Sequence, residues 1–114
     1  VIGKFGPTTD NQRNDGINIA APAGAPVLAS AAGTVAYAGN ELRGFGNMVL
    51  LRHADGWVTA YAHNSALLVK KGDKVKQGQI IARVGSTGNV DTPQLHFELR
   101  QDTKAVDPLQ NLTR

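Results

Sequence analysis

Thirteen glycines and five prolines divide this 114-residue chain into short apolar runs, and that punctuation limits what it can build. The runs INIAA, APVLAS, GTVAYAG, NMVLLRH, WVTAYAH, QIIARVG and QLHFELR are each the length of a strand and rich in β-branched or alternating apolar residues. Turn-forming stretches, AGAP, RGFG, ADG, KKGD and STGN, separate them. No window carries a sustained helical period beyond a single turn near NSALLV. Strands spaced this closely predict an all-β fold, with antiparallel sheets folded over into a sandwich or open barrel. The ending VDPLQNL is expected to pack back through Val106 and Leu109.

Composition narrows the function classes. Apolar residues at 41% and charged residues at 18% describe a folded domain. No apolar run approaches the roughly 20 residues of a membrane span, so membrane insertion is not expected. The absence of cysteine removes disulfides and thiolate chemistry. Net charge is +3, with one basic cluster at Lys70, Lys71, Lys74 and Lys76. It reads either as a solvated strand edge or as a surface for an acidic partner or polymer. A nucleic-acid partner is not expected, because the few aromatics are not interleaved with the lysines and no nucleic-acid motif occurs. The abrupt start at VIGKFGP reads as a domain, residues 1–114, cut from the C-terminal part of a longer protein.

Two stretches carry candidate chemistry. In PQLHFE, Gln94 and His96 share one face of a strand, a placement suited to metal binding or proton transfer if both were histidine. In WVTAYAH, Trp57, Thr59, Tyr61 and His63 share one side, and Val58, Ala60 and Ala62 the other. The mixed aromatic, hydroxyl and imidazole side is expected to floor a groove. The small apolar side is expected to meet another layer.

Five blocks in order, RNDGIN, GAPVLASAAGTVAYAG, GFGNMVLLRHADGWVTAYAHNS, VKKGDKVKQGQIIARVGSTGN and PQLHFELR, resemble the LytM-type (lysostaphin-like) zinc endopeptidases that cut peptidoglycan. The likeness spans nearly the whole chain and implies a LytM-type β-sandwich or open barrel with a central groove. In active members, zinc is held by a His and an Asp four residues apart and by the second His of an HxH pair. The first His of that pair and another in the YAH block assist the bound water. Carried onto this chain, those positions fall on Asn14, Asn18, His96, Gln94 and His63. Asn and Gln amides bind zinc far more weakly than imidazole or carboxylate, and catalytic zinc requires three protein ligands. Asp15 does not rescue the set, because a shift by one residue changes strand face. His53 matches a hairpin-end histidine away from the metal. The resemblance therefore implies a remnant site without metal, cofactor or hydrolytic activity.

AYAGNELRGFGNMVLLRHADGWVTAYAHNSALLV and LHFELRQDTKAVDPLQNL resemble the degenerate LytM cell-division factors of the EnvC, NlpD and DipM type. That likeness implies a periplasmic activator of peptidoglycan amidases at the division site of a Gram-negative bacterium. Its partners would extend to other cell-wall hydrolases, such as lytic transglycosylases, and to divisome proteins. The partner groove is expected to be lined by Trp57, Tyr61, His63 and His96, with Arg43 and Phe45 as one wall and GSTGNVD as the other rim. The alternatives are a peptidoglycan-binding module that recruits the full protein to the wall, and an active zinc endopeptidase. VKKGDKVKQGQIIARV also resembles half of a biotinyl or lipoyl carrier motif, but no lysine sits in the MKM or DKA setting those domains modify.

Overall fold

The computed structural model describes residues 5–7, 13–88, 90–101 and 104–107, and for Pro7, Arg13 and Arg43 the backbone alone. Leu109 lies outside the described residues. The strands are β1 (Gly6–Pro7), β2 (Arg13–Asn14), β3 (Ile17–Ala20), β4 (Pro26–Leu28), β5 (Gly33–Gly39), β6 (Asn47–Arg52), β7 (Trp57–Leu67), β8 (Lys74–Val75), β9 (Ile80–Val84), β10 (Gln94–Gln101) and β11 (Lys104–Val106). Every pairing among them is antiparallel, and no α-helix occurs among the described residues. Two short 3₁₀ turns, Arg43–Phe45 and Ala54–Gly56, interrupt the loops.

The main sheet runs β11–β10–β7–β6–β5–β8. One edge of β10 meets β7, and the other is shared between β3 and β11. Strand β7 is the long element that joins the two arms of the fold. Residues 57–62 pair with β10, and from Asn64 onward the same edge pairs with β9, which carries β4. The change of partner falls at His63, whose φ of +68° breaks the regular alternation. The helical turn expected near NSALLV does not form, because pairing with β9 continues Asn64–Leu67 as strand.

Inward side chains follow the register. Tyr61 faces Phe97 on one side and Val49 on the other, and Thr59 faces Leu99 and Leu51. Val35, Val49, Leu51 and Ile81 are fully buried, each contributing roughly 1.5–3 kcal/mol of transfer free energy before ordering costs. Val106 packs against this core as expected of the tail. Gly16 lets the segment bearing Asn14 cross β10, since a Cβ there would run into the Phe97 carbonyl and the Glu98 side chain.

Candidate functional site

The site forms where β7 leaves β10 for β9. Strand register sets Asn18 and Ala62 on either side of His96, and a Gly85–Gln94 bridge closes the gap between β9 and β10. On the outer face, the side chains of the first and last blocks meet one another. Asn14 Nδ2 donates to Asn18 Oδ1 at 3.0 Å, and Asn18 Nδ2 donates to Gln94 Oε1 at 2.9 Å. His96 Nδ1 lies 3.2 Å from the same Asn18 oxygen. Gln94 Nε2 donates onward to the Thr92 carbonyl and hydroxyl. On its other side, His96 Nε2 lies 2.8 Å from Glu98 Oε2, and Arg100 donates to Glu98 Oε1 from Nε at 2.9 Å and Nη2 at 2.8 Å. Asp15 faces Arg100 at 3.9 Å rather than the centre of the site.

His63 joins this group from β7. Its ring centroid lies 6.0 Å from that of His96, and its Nδ1 lies 2.7 Å from the Thr87 carbonyl oxygen. The Phe45 ring sits 5.8 Å from His96 on the remaining side and packs on Met48 and Ala62. Thr87 ties the rims together: its hydroxyl donates to the Asn64 carbonyl at 2.7 Å and accepts from the Asn47 N–H at 3.1 Å. Gly46 and Gly88 allow the two loops to touch backbone to backbone. Both have positive φ, and a Cβ on Gly88 would lie 2.6 Å from the Gly46 nitrogen. Nothing in the sequence marks Thr87 as this clasp, because a threonine in a glycine-flanked turn has many uses.

Electrostatics follow from this packing. Burial alone would push the Glu98 carboxyl up, but the hydrogen bonds and charges of His96 and Arg100 outweigh it and hold Glu98 below its ordinary 4.5. Burial lowers His63 from 6.5; the Thr87 carbonyl opposes that shift and the charge of His96 adds to it. Native His63 resists protonation, so stability is expected to decline as the pH falls below 6.5. The Glu98 contribution is fully present above 4.5 and is lost as pH falls through its lower native value. Thermal unfolding followed by circular dichroism from about pH 7.5 to about pH 3 should show both declines. Glu98→Gln should shrink the second and leave the first. An unchanged acid profile in that variant would contradict the assignment.

The expected groove lining requires correction at two residues. Tyr61 is 1% exposed and belongs to the core, with its ring 5.4 Å from Phe97. Its hydroxyl takes an N–H from Ser30 at 3.1 Å and bonds the Thr59 hydroxyl at 2.8 Å. Trp57 also turns away from His96. It lines a cleft of about 380 Å³ with Ser30, His53, Asp55, Thr59 and Leu99. The small face of β7 is the one beneath the site, since Ala62 faces His96 and Ala60 faces Glu98. Phe45 packs down on the cluster that Ala60 and Ala62 form with Met48. His63 reaches that side only through its left-handed backbone. The Arg43 side chain lies outside the described residues. His53 is remote from the site, bonding the Thr59 hydroxyl and the Ala32 carbonyl, both at 2.7 Å.

A catalytic zinc would need three nitrogen or oxygen ligands with free lone pairs and one open position. The three ligand positions present a single imidazole beside two carboxamides, and the Asn18 amide oxygen already meets Asn14 and His96. Among the described residues, no three His, Cys, Asp or Glu side chains gather as a metal-binding group. The donor set does not fit the metal.

Comparison with known proteins agrees with this fold. The catalytic domain of the antimicrobial peptidase lysostaphin from Staphylococcus simulans superposes with a TM-score of 0.89 at 34% identity, covering 97% of this chain and 90% of that one. Cell division protein DipM of Caulobacter vibrioides is 54% identical over 120 residues, which span 100% of this chain and 20% of DipM. Murein hydrolase activator NlpD of Escherichia coli is 47% identical over 112 residues, spanning 98% of this chain and 29% of NlpD. The chain thus corresponds to under a third of the length of either relative. Residues 12–108 match the family described as Peptidase family M23. With that match across most of its length and its likeness to NlpD and DipM, the chain belongs to peptidase family M23 and carries its LytM-type domain.

Proposed function

We propose that this chain is a non-enzymatic LytM domain that binds and activates peptidoglycan hydrolases. N-acetylmuramoyl-L-alanine amidases are its first partners and lytic transglycosylases its second. Its place is the periplasm at the division site of a Gram-negative bacterium, during daughter-cell separation. The observation that carries this reading is the hydrogen-bonded chain Asn14–Asn18–Gln94, packed against His96. Side chains in metal-ligand positions hold one another, and so hold the shape of the groove. The names of the two relatives, a murein hydrolase activator and a cell division protein, support the same role.

Activation then follows from linkage. A groove that binds the open form of a latent amidase more tightly than its closed form shifts the population toward activity. Because His63, Gln94 and His96 are buried, they act by shaping the groove. Contact falls to the half-buried Phe45 and the accessible edges of Asn14 and Asn18. Phe45→Ala is expected to lower affinity for a latent amidase of the same bacterium on the order of tenfold. Biolayer interferometry measures that loss, with thermal unfolding as the control for folding. Unchanged affinity in a folded variant would place the partner elsewhere. Retention on purified sacculi without any protein partner would instead make the chain a wall-recruiting module.

A further inference from the structure

At the end of the molecule away from the remnant site, three large aliphatic side chains stand in water: Leu28 at 51%, Leu68 at 51% and Ile80 at 42% exposure. They lie on neighbouring strands. Leu28 and Ile80 are register partners across β4 and β9. The Leu68 N–H donates to the Ile81 carbonyl at 2.9 Å, which sets Leu68 on the next strand over. The core does not require them there: Val27 and Ile81 are buried beside them, and Leu67 and Val69 pack inward on either side of Leu68.

Lysines flank this cluster on both sides. Lys70 and Lys71 occupy the turn just beyond Leu68, which the Asp73 carboxylate closes by accepting the Lys70 N–H at 3.0 Å. Lys76 lies in the next turn, tied to the residue after Leu28 by bonds from Gly78 to the Ala29 carbonyl at 2.8 Å and from Ala29 to the Gln79 carbonyl at 2.9 Å. All three lysines are exposed. Asp73 is the one carboxylate in residues 68–80, and Arg83 adds a further cation on β9.

We propose that this end of the domain docks on an anionic phospholipid bilayer, with Leu28, Leu68 and Ile80 entering the headgroup boundary and Lys70, Lys71 and Lys76 meeting lipid phosphates. A protein partner suits the patch less well. It has no aromatic anchor at its centre, and lysine is depleted from protein interfaces. Flexible ammonium groups around aliphatic tips match a fluid surface of negative charge. The groove stays accessible in this pose, because Ile80 and the Gly85 bridge beside Gln94 are separated by the length of β9, roughly 17 Å.

Sedimentation of the chain with phosphatidylcholine vesicles, with and without about one-third phosphatidylglycerol, tests this directly. The chain should sediment with the anionic vesicles only, and less as salt rises. Two variants, Leu68→Ser/Ile80→Ser and Lys70→Gln/Lys71→Gln/Lys76→Gln, should each lose on the order of tenfold in binding with unchanged circular dichroism. No binding to anionic vesicles, or equal binding by both folded variants, overturns the proposal. Retention on sacculi but not vesicles, lost in the lysine variant, would assign the patch to the wall polymer. A dimer lost in the Leu68→Ser/Ile80→Ser variant, without vesicle binding, would assign it to self-association. Either result overturns the bilayer as its occupant.

Discussion

Tyr61→Ala should cost about 3–5 kcal/mol of stability, as truncation of a buried aromatic does. The ring is lost from between Phe97 and Val49, and the cavity lies at the junction of β6, β7 and β10. The Ser30 N–H and the Thr59 hydroxyl lose a shared partner as well. Against a typical total of about 5–15 kcal/mol, the variant should populate unfolded states at moderate temperature. Its thermal midpoint should fall by roughly 15 °C or more. Tyr61→Phe keeps the ring and should lose only about 1–2 kcal/mol, from the stranded hydrogen-bonding groups. A groove-lining Tyr61 would behave differently: the alanine variant would fold normally and bind its partner less well. Calorimetry on both variants separates the two outcomes.

The reverse experiment, at Asn14, Asn18 and Gln94, should give a large gain. Asn14→His, Asn18→Asp and Gln94→His together restore the residue types of a zinc site on a backbone that already brings the positions together. His96 is ready to serve as a ligand, because Glu98 holds Nε2 and leaves Nδ1 turned toward residue 18. A carboxylate behind a ligating imidazole is the usual device for fixing its orientation. Zinc affinity in the triple variant should rise by on the order of a thousandfold or more over the parent chain. Isothermal titration measures this directly. Comparable affinity in the two chains would mean that the carboxamides are not what keeps zinc from the site.

Most of the strands were legible in the sequence because alternation and glycine punctuation act locally. GTVAYAG became β5 with the same bounds, Gly33–Gly39. The placement of Asn14 and Asn18 against Gln94 and His96 followed from block order, since the family resemblance supplied the long-range pairing. The faces of β7 were not legible. Periodicity alone put Tyr61 and His63 on one side, but strand alternation holds only while the backbone stays extended. The positive φ of His63 and the change of pairing partner separate the two residues. That corner depends on β9 and β10, which lie far away in sequence. The Thr87 clasp escaped for the same reason: its partners, Asn47 and Asn64, come from other strands.

On the proposed reading, a groove shaped by its own amides works on a partner and not on the wall. The most direct test of that reading incubates dye-labelled sacculi with the chain alone, with a latent N-acetylmuramoyl-L-alanine amidase of the same bacterium, and with both. Dye release well above that of the amidase alone when both are present, and none from the chain by itself, is the expected result. Release by the chain alone, abolished by a chelator, would contradict the claim and make Asn14 and Asn18 part of a working zinc peptidase.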